Sequence, residues 1–550
     1  MAPSPKEPAE PSVTFDSRFA SEKTSFDLSR APSKLDLSRS PSHDRGVKYD
    51  DDKVAPDDNA EPPPLEAMRS LSMASESNVF PVGEPNWPKN PRAYLCLFGG
   101  FLLMFNSWGI VNAYGTYASY YMQHLLPGQD ILLFNLVGST QSFTVLALSA
   151  VVGRFLDAGY HRTLVITGSV LVTLGSFLIS VSAGGGGYGE GNYGLIWFTQ
   201  GLLSGLGMAC FFVTSSQVVA TWFRKKKGFA IGIVASGASI AGLLYPMMLK
   251  FLIPKVGFNN AQRYTSTLTA VTCIFAILIA RPNPEHLFRK PQSWAKVDVW
   301  VDTHAFRNRS FCWLCAAISF LFFGFYAVFF NLEEWAAETG IGYKDDPRGG
   351  PLETAATQDN AMRAFWLLSI MNATSTLGRL SSAYLCDHFG ALNVHCFVTL
   401  VASLLTLILW TLADTVTAAL AFVVVFGVFS GAVIGLPPAS VAHILGPDPA
   451  AQAKLGQWTG MMYTCAAAPA LTGPVIAGHL ITEFLNDFRT VQLWAGACMF
   501  LSACCMGAAI YSKHAARADE WFEEKRRRLS SVTSLGKRRG SGAVSQREVV

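Results

Sequence analysis

The 550-residue sequence predicts an all-α membrane protein with twelve transmembrane helices arranged in two halves of six. Half of the residues are hydrophobic and only 15% are charged, a composition typical of a chain that is solvated largely by hydrocarbon. Twelve apolar segments between residues 91 and 512 are each long enough to cross about 30 Å of hydrocarbon. A polar loop separates the first six segments from the last six, so we expect two related halves.

The first part of the chain, residues 1–88, is rich in Ser, Pro, Asp and Lys and contains few aromatic residues. Such a segment cannot bury enough apolar surface to offset the entropy of ordering it, so we expect a disordered cytoplasmic tail. The N-terminal half follows at residues 91–280. Its six predicted helices cover residues 93–117, 131–153, 163–183, 195–223, 228–253 and 264–280.

A polar cytoplasmic loop, residues 281–310, connects the two halves. The C-terminal half occupies residues 311–512 and is followed by a basic tail, residues 513–550, which we also expect to be disordered and cytoplasmic. The six predicted helices of this half cover residues 311–332, 361–386, 391–412, 418–445, 456–481 and 491–512.

The segment WFRKKKGFAIGIVASGASIAG at residues 222–242 joins two predicted helices of the first half. An Arg/Lys run between two membrane-length apolar segments is typical of a short cytoplasmic loop. The small residues that follow recur at helical spacing, so we expect a neighbouring helix to approach backbone to backbone. These small residues are Gly228, Gly232, Ala235, Gly237, Ala238 and Gly242.

Loop charge predicts the orientation of the chain. Arg162, the run at 224–227, the loop at 281–309 and the basic tail all lie on one side, which identifies that side as cytoplasmic. Both termini are then cytoplasmic, and Lys250 and the acidic segment at 333–360 lie outside. The plasma membrane is the expected location, with the vacuolar membrane as the alternative.

The sequence contains no catalytic, metal-binding or nucleotide-binding pattern. The Gly184 to Gly187 run is not followed by the Lys and Ser/Thr of a phosphate-binding loop. The net charge of +4 is too small to indicate a nucleic-acid partner. Ten of the eleven cysteines lie inside apolar segments, where we expect them to pack. We therefore expect no cofactor, no metal and no enzymatic activity.

Four segments carry a resemblance to a known family: GLGMACFF at 205–212, the segment at 222–242, LGRLSSAYLCDHFG at 377–390 and APALTGPVIAG at 468–478. In these residues the chain resembles the major facilitator superfamily, and within it the fungal type of the monocarboxylate transporter family. The resemblance covers about residues 91–512. It implies transport of a small organic acid or related metabolite by alternating access, and leaves open nutrient import and export of a secondary metabolite.

Two aspartates at predicted helix ends resemble the gating motif of the superfamily. GRFLDAG at 153–159 and AYLCDHFG at 383–390 each place an Asp at a cytoplasmic helix end. Asp157, together with Arg162, and Asp387 are therefore the predicted gate residues, with Asp157 expected to receive a contact from the next helix. A solvated terminal charge is the alternative for each Asp.

Arg379 is the main candidate for substrate recognition. It precedes the helix-ending Asp387 by eight residues and so lies about 12 Å deeper in the membrane. A charge at that depth faces a water-filled cavity or a partner. An Arg can bind a carboxylate or carbonyl group through bidentate hydrogen bonds. The alternative is a structural pair with a buried carboxylate or with backbone carbonyls. The resemblance favours the first interpretation, since the Arg of helix 8 in the family falls on this position.

The same resemblance shows two departures. The Lys of helix 1 and the Asp one turn before the helix 8 Arg, which proton-coupled members share, correspond to Thr116 and Ser375. Because a carboxylate in the pathway is the usual proton carrier, this argues against classical proton–lactate symport and for a substrate larger than lactate.

Further polar residues fall in segments that would line a cavity between the halves. Each has an interhelical hydrogen bond as its alternative role. Trp108 and Phe325 are expected to pack. The candidate binding residues are Asn112, Tyr114, Tyr326, Asn331, Asn372 and Tyr463.

The C-terminal tail contains two candidate phosphorylation sites, Ser530 in RRRLSS and Ser541 in KRRGS. Each follows two arginines at a spacing that basophilic kinases accept, which implies a cytosolic kinase as a partner. The alternative is that the basic tail only contacts anionic lipid. For the whole chain, the alternative to a transporter is a nutrient sensor that signals through its N-terminal tail.

Overall fold

The computed structural model describes residues 87–544 except 224–226, 287, 289, 292, 344–361, 447 and 453. Most of the tail predicted at 1–88 therefore lies outside the described residues. Within the described residues, nine helical segments are long and apolar enough to cross a membrane. They are Ile131–Asp157, His161–Ser182, Tyr193–Ala220, Gly228–Ile279, Arg309–Glu338, Ala391–Trp410, Val416–Gly435, Leu455–Glu483 and Arg489–Ala516.

The first predicted span consists of short helices separated by breaks. The side chain of Asn90 accepts a hydrogen bond from the Arg92 N–H and so caps the first helix. The break after this helix contains Asn106, whose side chain donates to Thr272 Oγ1 over 2.8 Å. The elements are α1 (Pro91–Phe105), α2 (Trp108–Asn112), α3 (Tyr114–Tyr120) and a π-helical turn (Tyr121–Leu125).

The next helices follow the predicted order. Their bounds are α4 (Ile131–Ala147), α5 (Ser149–Asp157), α6 (His161–Ser182), α7 (Tyr193–Ile196), a π-helix (Trp197–Leu203) and α8 (Ser204–Ala220). After them comes α9 (Lys227–Ile279), which at 53 residues is about 80 Å long and exceeds any bilayer. Gly257 divides it into two helices, since its φ of 74° and ψ of 166° are not helical. The loop that the sequence predicts at 254–263 is thus reduced to this break.

The remaining elements include one short parallel sheet, in which Gly342 pairs with Met362. Pro437 starts a new helix after Leu436, so the helix predicted at 418–445 is interrupted. The elements are α10 (Val297–Trp300), a 3₁₀ turn (Ala305–Arg307), α11 (Arg309–Glu338), β1 (Gly342–Tyr343), β2 (Met362–Arg363), α12 (Phe365–Phe389), α13 (Ala391–Leu404), a π-helix (Leu405–Trp410), α14 (Val416–Gly435), α15 (Pro437–Leu445), α16 (Pro449–Gln452), α17 (Leu455–Cys465), α18 (Ala467–Glu483) and α19 (Arg489–Val544).

The last helix corrects the predicted disordered tail. α19 has 56 residues and continues through Val544, 32 residues beyond the predicted membrane end at residue 512. The residues after 512 include many Ala, Arg, Glu and Lys, which are strong helix formers, so the segment continues the apolar helix that precedes it without the cost of a new helix start.

Glycines in α9 allow the close helix contacts that the sequence predicts. A Cβ at Gly237 would overlap the carbonyl oxygen of Phe101 in α1, and one at Gly232 would lie 3.0 Å from the carbonyl oxygen of Arg379 in α12. Gly228, in contrast, has no atom of the described residues within 4 Å of its Cβ position. The prediction of backbone-to-backbone packing is therefore confirmed at Gly232 and Gly237 but not at Gly228.

Candidate functional site

Arg379 lies near the middle of α12, about 21 Å along the helix from its start at Phe365. The residue is 4% exposed. Its Nη1 donates to the carbonyl oxygen of Ala235 in α9 over 2.9 Å, and its Nε donates to Ser375 Oγ over 3.4 Å. Both partners are neutral, and among the described residues no carboxylate forms an ion pair with this guanidinium. Arg379 is thus a buried cation whose charge is not balanced by the described part of the protein.

Ser375 connects this cation to α9. Its Oγ lies 2.9 Å from Ser239 Oγ, so a short chain of polar contacts runs from Arg379 through Ser375 to the neighbouring helix. A neutral hydroxyl keeps α9 and α12 together without supplying a negative charge.

Five rings form one group, which we call the aromatic cluster: Trp108 of α2, Phe212 of α8, Phe322 and Tyr326 of α11, and Tyr463 of α17. Trp108 and Tyr326 stack nearly parallel, with ring centres 5.4 Å apart. Phe212 meets Trp108 edge-on at 5.4 Å and Tyr463 at 4.9 Å. Phe322 stacks on Tyr326 at 6.0 Å. Four helices that are distant in sequence therefore contribute rings to one place.

Tyr326 joins the aromatic cluster to the cation. Its hydroxyl interacts electrostatically with Arg379 and with Tyr463. The indole Nε1 of Trp108 is buried and has no hydrogen-bond partner among the residues that the structure describes. Tyr326 and Tyr463 are predicted from the sequence as binding candidates, whereas Trp108 is predicted to pack. The sequence signal for Trp108 is weak, since only Ser107 and Asn112 add polar groups to this apolar stretch.

Asn112 and Asn372 form the interhelical contacts that the sequence analysis gives as their alternative role. Asn112 Nδ2 donates to the carbonyl oxygen of Ala238 over 3.5 Å. Asn372 Nδ2 donates to the carbonyl oxygen of Asn112 over 3.5 Å and to that of Leu368 over 3.0 Å. The Oδ1 of Asn372 is buried and has no hydrogen-bond partner in the described part of the chain. These side chains hold α2, α9 and α12 together and leave one free acceptor.

Tyr114 and Asn331 are occupied by contacts with α4. The Tyr114 hydroxyl donates to the carbonyl oxygen of Phe134 over 2.5 Å. Asn331 Oδ1 accepts from Asn135 Nδ2 over 3.2 Å, and that same amide donates to the carbonyl oxygen of Pro474 over 2.9 Å. The structure thus brings Arg379, Tyr326 and Tyr463 together, whereas Tyr114 and Asn331 stabilise helix packing.

A buried ion pair joins α9 to α11. Lys250 Nζ lies 2.8 Å from Glu333 Oε1, and the two side chains are 10% and 1% exposed. The distance is that of an ion pair, but the angles do not meet those of a hydrogen bond. The sequence predicts both residues on the outer side of the membrane, and that stays a prediction. Their pairing is not predicted, because the two residues are 83 positions apart and no local pattern indicates that they meet.

The segment between Arg281 and Arg309 marks one end of the bundle, which we call the linker end; the far end is the opposite one. At the linker end, Asp302 accepts hydrogen bonds from Lys454 Nζ over 2.9 Å and from Trp458 Nε1 over 3.2 Å. Asp302 also attracts Arg154 of α5 electrostatically. Burial raises the pKa of Asp302, but the hydrogen bonds from Lys454, Trp458 and the His304 N–H, with the Lys454 charge, outweigh it and lower the pKa.

Three rings hold the same segment against α5. Phe155 stacks on Trp294 at 5.2 Å and meets Trp300 at 6.1 Å. Trp300 Nε1 donates to the carbonyl oxygen of Trp294 over 2.9 Å. The segment therefore contacts α5 through aromatic rings and α17 through Asp302, so it bridges N-terminal and C-terminal helices.

Of the predicted gate residues, the structure describes the side chains of Asp157 and Arg162. Asp157 Oδ2 lies 3.2 Å from Arg154 Nη1, one turn back in its own helix, and Arg162 is exposed. The contact expected from the next helix is therefore replaced by a contact within α5. Asp387 lies in the last turn of α12, but its side chain is outside the described part, as are those of Ser530 and Ser541 in α19.

Comparison with known protein families identifies the superfamily of this chain. Residues 96–454 match the family model of the Major Facilitator Superfamily. The chain belongs to the major facilitator superfamily. It is a multi-pass integral membrane protein of a transporter superfamily, as the resemblance implies.

Known members of the superfamily align over most of this chain. One is MFS-type transporter 1 of Ophiocordyceps sp. (strain BCC 1869), 28% identical over 412 residues, covering 75% of this chain and 84% of the relative. Another is the MFS transporter asaE of Aspergillus flavus, 26% identical, covering 78% and 90%. A third is the aspyridones efflux protein apdF of Emericella nidulans, 27% identical, covering 80% and 81%.

Proposed function

We propose that this superfamily member exports a small anionic or carbonyl-bearing organic metabolite, such as a secondary metabolite, by alternating access. The observation that carries the proposal is Arg379, a cation at the middle of α12 that is 4% exposed and has only neutral partners. A buried charge is costly unless it is paired, so a site of this kind gains most from an anion that arrives from solution.

We further propose twelve spans in two halves of six. Nine described segments meet the length and hydropathy of a span. Gly257 supports counting α9 as two spans, because each part is then of membrane length. The interrupted run α1–α3 and the 25-residue α12, whose hydropathy is reduced by Arg379, supply two more.

Contacts between the two sets of helices support an alternating mechanism. At the linker end, Asp302 lies between Arg154 and Lys454; at the far end, Lys250 pairs with Glu333. Alternating access requires that one set of contacts opens while the other stays closed. In this conformation both sets are formed, as in an occluded state.

Export is supported by the name of one relative, the aspyridones efflux protein. The basic loops support placing the linker end and both termini in the cytoplasm. The plasma membrane is the proposed location, with the vacuolar membrane as the alternative. The membrane lipid around the spans is the other expected partner.

Comparison of metabolites inside and outside cells tests the proposal. Cells that lack the protein should retain at least one anionic metabolite that cells with the wild-type protein release. Arg379→Lys should lower release about tenfold or more, because a Lys keeps the charge but loses the planar donor pair.

Arg263→Lys is the matched control. Arg263 is an exposed cation of α9, so its replacement should leave release unchanged. The proposal is wrong if a well-expressed Arg379→Lys protein releases metabolites at the wild-type rate, or if deletion changes no metabolite.

A further inference from the structure

We propose that the substrate of the site at Arg379, which we call the central site, is a planar aromatic molecule with an anionic oxygen attached directly to its ring system. This inference rests on the proposed function, since it specifies the class of anion that the site carries. The juxtaposition that supports it is the aromatic cluster next to the unbalanced guanidinium of Arg379.

The ring arrangement favours a flat ligand. Trp108 and Tyr326 are stacked with an angle of 15° between their planes, and Phe212 and Tyr463 present ring edges and faces around them. Stacked and edge-to-face contacts are made by flat π systems and are lost by puckered saturated rings. Because these rings come from both N-terminal and C-terminal helices, separation of the helices opens a slot between flat surfaces.

The position of the charge fixes where the anion lies on the ligand. Tyr326 belongs to the aromatic cluster and interacts electrostatically with Arg379. Arg379 contacts α9 at Ala235, and the α2 turn that carries Trp108 contacts α9 one turn further along, at Ala238, so the cluster and the cation lie in the same part of the bundle. An anionic group bonded directly to a ring suits this arrangement better than one on a long flexible chain. A carboxylate or enolate bonded to the ring places its oxygen at Arg379 while the ring contacts Trp108 and Tyr326.

The unpartnered polar atoms add one detail. Within the described part of the chain, Trp108 Nε1 is a buried donor without a partner, and Asn372 Oδ1 is a buried acceptor without one. Leaving such groups unpaired is unfavourable, so the site gains from a ligand with a further oxygen acceptor near Trp108. A hydroxylated or carbonyl-bearing aromatic acid has this pattern.

Three probes separate shape from charge. They are 2-naphthoate, which is planar and anionic; decahydro-2-naphthoate, which is anionic but saturated; and 2-naphthalenemethanol, which is planar but neutral. The purified full-length protein in lipid nanodiscs is incubated with radiolabelled 2-naphthoate, and the other two compounds compete for it. We expect each competitor to require an at least tenfold higher concentration than unlabelled 2-naphthoate to displace half of the bound label.

Variants assign the two preferences to residues. Trp108→Leu should weaken the binding of 2-naphthoate at least tenfold and remove its higher affinity relative to the saturated acid. Trp108→Phe should retain most of the affinity. Arg379→Gln should remove the advantage over the neutral alcohol. The control is Trp313→Leu, which changes a Trp of α11 that is 45% exposed and outside the aromatic cluster.

Several results would overturn the inference: equal competition by the saturated acid, unchanged affinity in a folded Trp108→Leu protein, or no binding of 2-naphthoate to a protein whose cellular release depends on Arg379. The last result leaves the proposed function intact. Conversely, binding of 2-naphthoate with no metabolite released by cells would overturn the export function and not the ligand class.

Discussion

At the scale of single residues, two buried cations of this membrane protein have opposite surroundings. Lys250 is balanced by Glu333 at 2.8 Å, whereas Arg379 has carbonyl and hydroxyl partners. A balanced pair serves to hold helices in place, and an unbalanced charge is available to a ligand. The sequence predicts Arg379 from its depth and from the family resemblance at that position, but it does not predict the Lys250 pair, because that contact depends on how α9 and α11 pack.

Removal of one partner of the buried pair should destabilise the protein. Glu333→Gln leaves Lys250 without its counter-charge, which we expect to cost about 3 kcal/mol and to lower the thermal unfolding temperature of the purified protein. The double variant Lys250→Met with Glu333→Gln should recover most of the loss. Glu338→Gln, at an exposed site of the same helix, is the control. Equal unfolding temperatures for Glu333→Gln and Glu338→Gln would show that the pair contributes nothing.

A carboxylate at position 375 should block the central site. Ser375 Oγ is 3.4 Å from Arg379 Nε, so Ser375→Asp provides the missing negative charge and competes with an anionic substrate. We expect transport at neutral pH to fall about tenfold or more, because hydrogen bonds between charged groups are about twice as strong as neutral ones. Ser375→Ala should transport at nearly the wild-type rate. Faster transport by Ser375→Asp would contradict an anion site at Arg379.

At the scale of elements, the sequence predicts most helices because their apolar runs have membrane length. It misses the breaks that depend on backbone geometry, such as Gly257, where φ is 74°, and the new helix start at Pro437. It also misses the role of Trp108, since a ring at the middle of a helix serves packing and binding equally well until its neighbours are known.

The tight contact at Gly237 gives a prediction with a matched control. Gly237→Ala places a methyl group against the carbonyl oxygen of Phe101, which should cost about 1–3 kcal/mol and reduce the amount of folded protein. Gly228→Ala is in open space on an exposed face and should be neutral or stabilising by up to about 1 kcal/mol. Both are checked by thermal unfolding. A greater loss of stability for Gly228→Ala than for Gly237→Ala would contradict the packing described for α1 and α9.

The segment at the linker end should be released when Asp302 loses its charge. Asp302→Asn weakens the contacts with Lys454 and Trp458, so we expect trypsin to cleave this segment about fivefold faster in the folded protein. Glu285→Gln, an exposed change in the same segment, should leave the cleavage rate unchanged. If both variants are cleaved at the wild-type rate, Asp302 does not hold the segment.

The lowered pKa of Asp302 sets the pH range of this contact. The pKa of an Asp in an unfolded chain is about 3.9, and the pKa of Asp302 in the folded protein is lower. The stabilisation is therefore fully present above the unfolded pKa and is lost as the pH falls through the folded pKa. The ratio of cleavage rates between Asp302→Asn and wild type should thus stay constant from pH 5 to pH 8. A ratio that changes in this range would mean that another group controls the segment.

At the scale of the whole molecule, the N-terminal and C-terminal helices meet at both ends of the bundle and at the aromatic cluster between them. The sequence predicts two halves from the order of apolar segments, but not which residues connect them, because the partners at each contact lie far apart in the chain. Lys454 and Asp302, for example, are separated by 152 positions.

The basic C-terminal segment should respond to phosphorylation. Aspartate at both Ser530 and Ser541 adds negative charge next to arginines that attract anionic lipid, at about 1 kcal/mol per basic residue. We expect the double Asp variant and the double Ala variant to shift surface abundance in opposite directions, as measured by surface labelling. Identical abundance of both variants and of a protein truncated after Glu520 would show that this segment has no regulatory role.

The length of α19 has a mechanical consequence. Residues 489–516 meet the criteria of a span, and the helix then continues without a break through Val544, which adds 28 residues or about 42 Å. A continuous helix of this length behaves as a lever arm. A tilt of about 10° in the span would move its tip by roughly 7 Å, so small rearrangements inside the bilayer are amplified into a displacement of several ångströms at the far end of the helix.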